Sequence, residues 1–414
     1  MRKLIYSLII LVTNLSFGQS LRELYQEGLK AYEEKEYALF QEKMYSIDTM
    51  RPNYPAVVYN LAGSYALIGD KEKSLETLHK YVLMDATQDF TKDSDFQSIV
   101  NLEEFKDIIQ KQSLLKEEKT IDVAYKIPLL QIHPESISYS KKQKSIFIGG
   151  AHDGNIWEIQ QDNAPKLWAE SPKNSWSIMG LEVSQDEKIL WVCTSSMNNF
   201  QGYNQNEEGY ASVLKYDLRS GKLLETFALP GGHNFGDLIS DSQGNVYISD
   251  GTANKIYWID KESGELEVFI DMSETVFNLQ GLTFGKGERS IYASDYIDGI
   301  YEVSLNTKEI VKVKIEANDV LIKGIDGLYF YKNSLIGLHN GTKPNRVVQY
   351  ELSENGDSII NKIILAQAGA LGEPTQGTWV EGVFHYIVNS PWAAYDRDGS
   401  FNPQEEHIII GKIE

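Results

Sequence analysis

Residues 235–271 read FGDLISDSQGNVYISDGTANKIYWIDKESGELEVFID. Apolar and polar residues alternate through four short runs, and Asp, Ser, Asn and Gly fill the gaps between them. Period-two alternation marks a strand with one buried face, and short gaps of this composition are tight turns. The segment predicts a unit of four antiparallel strands. Residues 278–315, NLQGLTFGKGERSIYASDYIDGIYEVSLNTKEIVKVKI, repeat it.

A four-stranded unit recurring about every 45 residues indicates a β-propeller, because one such sheet cannot bury both faces without neighbours on either side. Six units fall at 134–170, 176–229, 235–271, 278–315, 324–366 and 377–413. The last is one strand short. IDVAYKIPL at 121–129 can supply its outer strand, which closes the ring and removes an exposed edge. No helical patterning alternates with these strands, which argues against a parallel α/β fold.

Residues 21–115 carry a different period. Leu21, Leu24, Tyr25, Gly28, Leu29 and Tyr32 recur at helical spacing, as do Val58, Leu61, Ala62 and Tyr65. A shift of 34 lays Leu24 on Val58, Gly28 on Ala62 and Met44 on Leu78. That period resembles two tetratricopeptide repeats, with Pro52 closing the first and Gly69-Asp70 turning the second. DSDFQSIVNLEEFKDII reads as a capping helix pair, and the charged KQSLLKEEK at 111–119 as the domain boundary. The helical domain, 19–115, suits either docking of a peptide or protein partner or a spacer beside the propeller.

The chain opens MRKLIYSLIILVTNLSFGQS. Arg2 and Lys3, the apolar run Leu4–Val12 and the small Ser16 and Gly18 make a signal peptide over 1–18, implying a periplasmic or secreted protein. No second run is long and apolar enough for a membrane span. The 414 residues carry 39 basic and 59 acidic side chains, a formal charge of −20 that repels nucleic acid. The single cysteine, Cys193 in ILWVCTSS, excludes an intrachain disulfide and reads as a buried strand residue.

Function turns on one recurring position. GIDGLYF, NLQGLTF and SIMGLEV each place a Gly-Leu at the start of an inner strand. Inner strands line the central channel, so the residues before the registering positions form a ring: Glu135, Met179, Gly236, Gln280, Asp326 and Gln376. Two carboxylates and two carboxamides at one channel mouth suit either a hydrated polar funnel or a divalent cation.

At these residues the chain resembles the senescence marker protein, gluconolactonase and luciferin-regenerating enzyme family of six-bladed propellers, over about 121–414. The resemblance implies that Glu135 in HPESISYS, Gln280 in the Gln-Gly-Leu that replaces the family's Asn-Gly-Leu, and Asp326 in GIDGLYF hold a divalent metal, Ca²⁺ first. It implies Asp326 as general base for hydrolysis of a lactone or sugar-derived substrate, with the ion polarising the carbonyl. The family's Asn-Asp pair is Gly236-Asp237 here. ISDGTANKIYWID at 248–260 also resembles an NHL-type blade, which points to the alternative of a non-catalytic scaffold binding protein or glycan.

Asp237, Asn340 and Gln376, with His152, His233 and His339 at strand ends, complete the candidate substrate-binding set. His385 reads as a strand residue. The insertion MNNFQGYNQNEEGY at 197–210 suits sugar or peptide contacts or a plain connection. SPWAAYDRDGSFNPQEEH at 390–407 holds an Asp-x-Asp-Gly piece without the remaining spacing of an EF-hand. No nucleophile-elbow, zincin, P-loop or dinucleotide-binding fingerprint occurs.

Overall fold

A computed structural model describes residues 20–128, 132–160, 164–369, 371–396 and 399–414. The signal-peptide segment and Asp398 of the Asp-x-Asp-Gly piece lie outside these. The chain divides into two units, one running to Glu117 and including Thr342–Pro344, the other from Glu118 to Gly341 and Asn345 to Glu414. Among the described residues no helix is long and apolar enough to cross a membrane.

The first unit holds five α-helices, α1 (Leu21–Glu33), α2 (Tyr37–Met50), α3 (Pro55–Ile68), α4 (Lys71–Met84) and α5 (Glu103–Lys116). Ser20 opens α1 with a reciprocal capping box to Glu23. Gly69, at φ +86°, ends α3 in the left-handed region, and the Asp70 side chain accepts from Lys73 N to start α4. Both α3 and α4 begin 34 positions after α1 and α2 respectively, as the sequence period requires. Two expectations differ. The capping pair is a single 3₁₀ turn at Ser94–Phe96 followed by α5, because Phe96 and Ile99 are buried and pin the intervening chain as turns. The charged boundary stretch begins inside α5, which runs to Lys116, and the division after Glu117 falls within that stretch.

The second unit is a six-bladed propeller of six separate sheets. Blade one uses Pro134–Ser140, Ser145–Gly150, Ile156–Ile159 and Lys166–Ala169 from inside to outside, and blade two Ser177–Val183, Ile189–Ser195, Ala211–Asp217 and Lys222–Leu229. Blade three is Phe235–Ser240, Val246–Asp250, Lys255–Ile259 and Leu266–Asp271; blade four is Leu279–Phe284, Ser290–Asp295, Gly299–Ser304 and Ile310–Lys312. Blade five is Ile325–Tyr331, Ser334–His339, Arg346–Leu352 and Ser358–Gln367. Blade six takes Gly377–Val380, Val383–Ile387 and His407–Ile413, and its outer strand is Asp122–Pro128, paired antiparallel from Asp122 opposite Lys412 to Pro128 opposite His407. The ring closes as the short last unit demanded. Lys314–Ile315, read as the end of blade four, instead pairs in parallel with the outer strand of blade five. Val313 is buried in the blade-five core with Ile359, and that burial draws the chain across.

The recurring position is a β-bulge. In blades one to five the pairing of the inner strand slips at one place: between Pro134 and Ser136, Ile178 and Gly180, Phe235 and Asp237, Leu279 and Leu282, and Ile325 and Leu328. The extra residues include Glu135, Met179, Gly236, Gln280 and Asp326, and Gln376 directly precedes the inner strand of blade six. A bulge turns its extra residue out of the ladder, here toward the axis.

The glycine beside the bulge has its own reason. A Cβ on Gly281 would lie 2.4 Å from Asp326 O, and one on Gly327 2.5 Å from Thr375 O, so adjacent inner strands approach backbone to backbone. Side chains bridge the same seams. Ser138 Oγ accepts from Val183 N (3.0 Å), Asp237 Oδ2 from Leu282 N (2.8 Å), Thr283 Oγ1 from Phe330 N (3.0 Å) and the Tyr329 hydroxyl from Gly377 N (2.6 Å). Thr375 Oγ1 donates to Glu135 O at 2.9 Å. Overpacking a site this tight costs about 1–3 kcal/mol. Gly281→Ala should therefore lower the stability read from urea unfolding by about that amount, whereas Ser136→Ala, at the equivalent place in blade one, should not.

Candidate functional site

The inner strands begin, and the second strands of each blade end, on one face of the propeller. The loops there bring together residues far apart in sequence. Gln376 crosses the channel: its Nε2 donates to Met179 O of blade two (2.8 Å) and Gly236 O of blade three (3.2 Å). Gln376 is thus a strap between opposite walls, and not a side chain presented to substrate.

Glu135 is 3% exposed, and its Oε2 accepts from Ser390 Oγ (2.9 Å) and Trp392 Nε1 (2.8 Å). Burial, reinforced by the nearby Asp326 charge, pushes its carboxyl well above the usual range. Asp326 keeps some accessible surface but is ringed by protein, and that desolvation raises its pKa to about 7. Its Oδ2 accepts from Asn340 Nδ2 at 2.7 Å, and Asn340 Oδ1 accepts from the Tyr296 hydroxyl at 2.8 Å. Glu373 joins them, raised to about 7 by burial and by Asp326. These carboxyls feel one another's charge, so the mouth has a wall of acids contributed by blades one, five and six.

Asp237 stands where other blades have glycine. Its two oxygens accept from Leu282 N and Leu238 N, both at 2.8 Å, so it is a structural bridge to blade four rather than a substrate ligand. Gln280 donates from Nε2 to Asn278 Oδ1 (2.8 Å), and its Oε1 would lie 3.1 Å from a Cβ on Gly236. The longer Gln280 fills the space that glycine leaves.

The implied Ca²⁺ site does not fit these side chains. Hard divalent ions take six to eight oxygens converging on one point. Here Glu135 Oε2 is held by two donors, Asp326 Oδ2 by a third, and the Gln280 oxygen turns toward Gly236. Among the described residues no three His, Cys, Asp or Glu side chains are grouped to hold a metal ion. Glu135, Gln280 and Asp326 are therefore not assigned as metal ligands.

The histidines divide. His339 is 2% exposed, with Nδ1 on Lys323 O and Nε2 on the Tyr350 hydroxyl, both at 2.8 Å, so it is internal to blade five. His233 Nδ1 lies 2.7 Å from Asp250 Oδ2, and Asp250 in turn accepts from Asn234, Thr252 and Ala253 N. That pair fixes the entry to blade three. His152 holds Asn199 O (2.8 Å) and packs on Tyr395 and Phe401. His385 lies in a strand and Cys193 is fully buried.

The residues that sequence reading missed come from the insertion between Ile387 and His407. Ser390, Trp392 and Tyr395 fold over the mouth, and Trp392, Tyr395 and Phe401 surround the fully buried His133. The signal was the density of aromatics in that insertion beside the HPE that carries Glu135. Other polar side chains are buried at blades two and three. Ser177 Oγ, Ser196 Oγ and Asn234 Oδ1 are buried without hydrogen-bond partners. The Asn199 carboxamide lies beside the Tyr395 hydroxyl without hydrogen-bond geometry to it. Ser177 pairs with Ser195, whose Oγ donates to Phe235 O at 3.1 Å, which places this group at blades two and three.

No protein-family model and no curated protein matches the chain. Among solved structures it is similar to the major allergen Mala s 1 of Malassezia sympodialis, with a TM-score of 0.54 and 14% identity over 71% of this chain and 95% of that one. The gluconolactonase XC5397 of Xanthomonas campestris aligns with a TM-score of 0.48 and 11% identity over 73% and 92%. A luciferin-regenerating enzyme aligns with a TM-score of 0.48 and 10% identity over 71% and 94%. At these identities the likeness is one of fold.

The acid wall has a consequence for stability. Asp326 rises from 3.8 to about 7 on folding, so between those values the unfolded chain releases this proton while the folded chain keeps it. Stability then falls as pH rises through that window and levels off above it; Glu373, raised from 4.5 to about 7, acts in the same sense. Thermal unfolding followed against pH should show this decline, and Asp326→Asn should flatten it and raise the midpoint above the window.

Proposed function

We propose that the propeller is a hydrolase that cleaves a small neutral lactone or ester at the channel mouth by paired carboxyl acid–base chemistry. The observation that carries this reading is the Glu135–Asp326 pair: burial pushes both carboxyls up, and the Asp326 charge raises Glu135 further. A carboxyl that keeps its proton beside one that releases it near neutrality divides the two roles of acid–base catalysis. Asp326, with a pKa of about 7, is poised to accept a proton near neutrality, and Asn340 fixes its orientation. Glu135, more deeply buried, retains its proton and donates it.

The reaction balances with these two groups. Asp326 takes a proton from the attacking water as its oxygen bonds to the acyl carbon. Glu135 gives its proton to the departing alkoxide as the acyl C–O bond breaks. The products are an acid and an alcohol, joined in one molecule when the substrate is a lactone. The acid wall disfavours an anionic substrate. The positively charged and then apolar opening segment supports action outside the cytoplasm.

A panel of neutral lactones and esters tests the reading. Asp326→Asn and Glu135→Gln should each lower kcat/KM on the responsive substrate by about 10²–10⁴-fold, the usual contribution of a positioned acid or base, with the fold intact by circular dichroism. No turnover across the panel would sink the assignment. Dialysis against EDTA should leave the rate unchanged. A rate lost on chelation and restored by Ca²⁺ would place a cation between the carboxyls and replace the acid–base roles.

A further inference from the structure

Glu135 and Asp326 are each reached by a chain of hydrogen bonds, and the two chains differ in kind. Asp326 is reached through Asn340, an amide, which orients a carboxylate but does not pass protons on. Glu135 is reached through Ser390, a hydroxyl, which can. Ser390 Oγ donates to Glu135 Oε2 at 2.9 Å. Having spent its one proton there, Ser390 must accept from His133 Nε2, 2.9 Å away. A neutral imidazole with its proton on Nε2 has Nδ1 free to accept, and the Tyr395 hydroxyl lies 2.7 Å from it. Every donor in the row Tyr395, His133, Ser390, Glu135 points the same way. His133 is wholly buried, Ser390 is 3% exposed, and Tyr395 is only half-buried.

We propose that Tyr395, His133 and Ser390 form a proton relay between solvent and the buried Glu135 carboxyl. Tyr395 takes a proton from solvent and passes its own to His133 Nδ1. The Nε2 proton moves to Ser390 Oγ, and the serine proton to Glu135 Oε2. Each intermediate group gains one proton and gives one up, so only Glu135 changes charge. Under the hydrolase reading, on which this role in turnover rests, the relay restores the proton that Glu135 loses.

The charged and titratable surroundings are consistent with a row that carries protons without storing them. Asp326 and Glu373 face Glu135 and favour its protonated form. His152 faces His133, and burial with that neighbour holds the imidazole neutral, its pKa lowered to about 3. Asp153 and Glu135 both bear on Tyr395 and oppose its ionisation. Trp392 Nε1 also donates to Glu135 Oε2 but ends there, because an indole N–H has no acceptor to refill it.

Infrared spectroscopy tests the relay without any substrate. The C=O stretch of the protonated Glu135 carboxyl is the band that disappears in Glu135→Gln, and its shift after mixing with D₂O reports exchange of that proton. Ser390→Ala and Tyr395→Phe should each slow the exchange by about tenfold or more, equivalent to about 1.4 kcal/mol on the transfer barrier. Ser390→Thr, which restores a hydroxyl, should recover it. Tyr395→Phe keeps the ring packed on His133 and decides the matter where Ser390→Ala fails to fold. Exchange at the wild-type rate in the folded variants, or a Glu135 carboxyl already ionised at neutral pH, overturns the relay. Failure to hydrolyse any lactone or ester sinks the hydrolase alone and leaves this result standing.

Discussion

One surplus residue in the inner strand of blades one to five sets the terms for the rest of the propeller. A regular strand would pair fully with its neighbour and send its side chains alternately into the two inter-blade seams. The bulge breaks that alternation once, at the same level in blades one to five. Beside it the next inner strand comes close, and Ser138, Asp237, Thr283, Tyr329 and Thr375 bridge five of the six seams. The ring of functional positions and the tight inner packing are two products of one backbone irregularity.

Electrostatics explains why so much of the surrounding hydrogen bonding is one-directional. Three carboxyls gathered near one mouth must either hold protons or receive donors. Both happen. Ser390, Trp392 and Asn340 all donate inward, and the raised carboxyl pKa values keep the total charge down. What distinguishes the two principal acids is the nature of their donors. An amide steers Asp326, while a hydroxyl and an imidazole attend Glu135.

Much of this was legible in the sequence because it rests on local patterning. Period-two runs with Asp, Asn and Gly turns located all six blades, the short last unit called for the strand at 121–129, and the shift of 34 located both helical hairpins. The ring positions were legible too, since Gly-Leu marks the bulge. Their roles were not. Whether a ring residue faces the mouth, as Asp326 does, or bolts the walls together, as Gln376 does, depends on carbonyls presented from blades two and three. Gln280 looked like a replacement ligand, but Gly236, 44 residues earlier, gives its oxygen somewhere else to go. His133, Ser390 and Tyr395 lie 257 and 262 residues apart along the chain as hydrogen-bonded pairs, and no periodicity joins them.

The closing pair of strands also fixes an order of events during synthesis. Asp122–Pro128 is the first propeller strand made, and its partner, His407–Ile413, is the last. Until His407–Ile413 has been made, the early strand presents an unpaired edge. Contacts this distant along the chain form late and slowly. Blades one to five can assemble as an open arc in the meantime, but the ring closes only once His407–Ile413 reaches the strand made first, so loss of that strand would leave both ends of the arc unsealed.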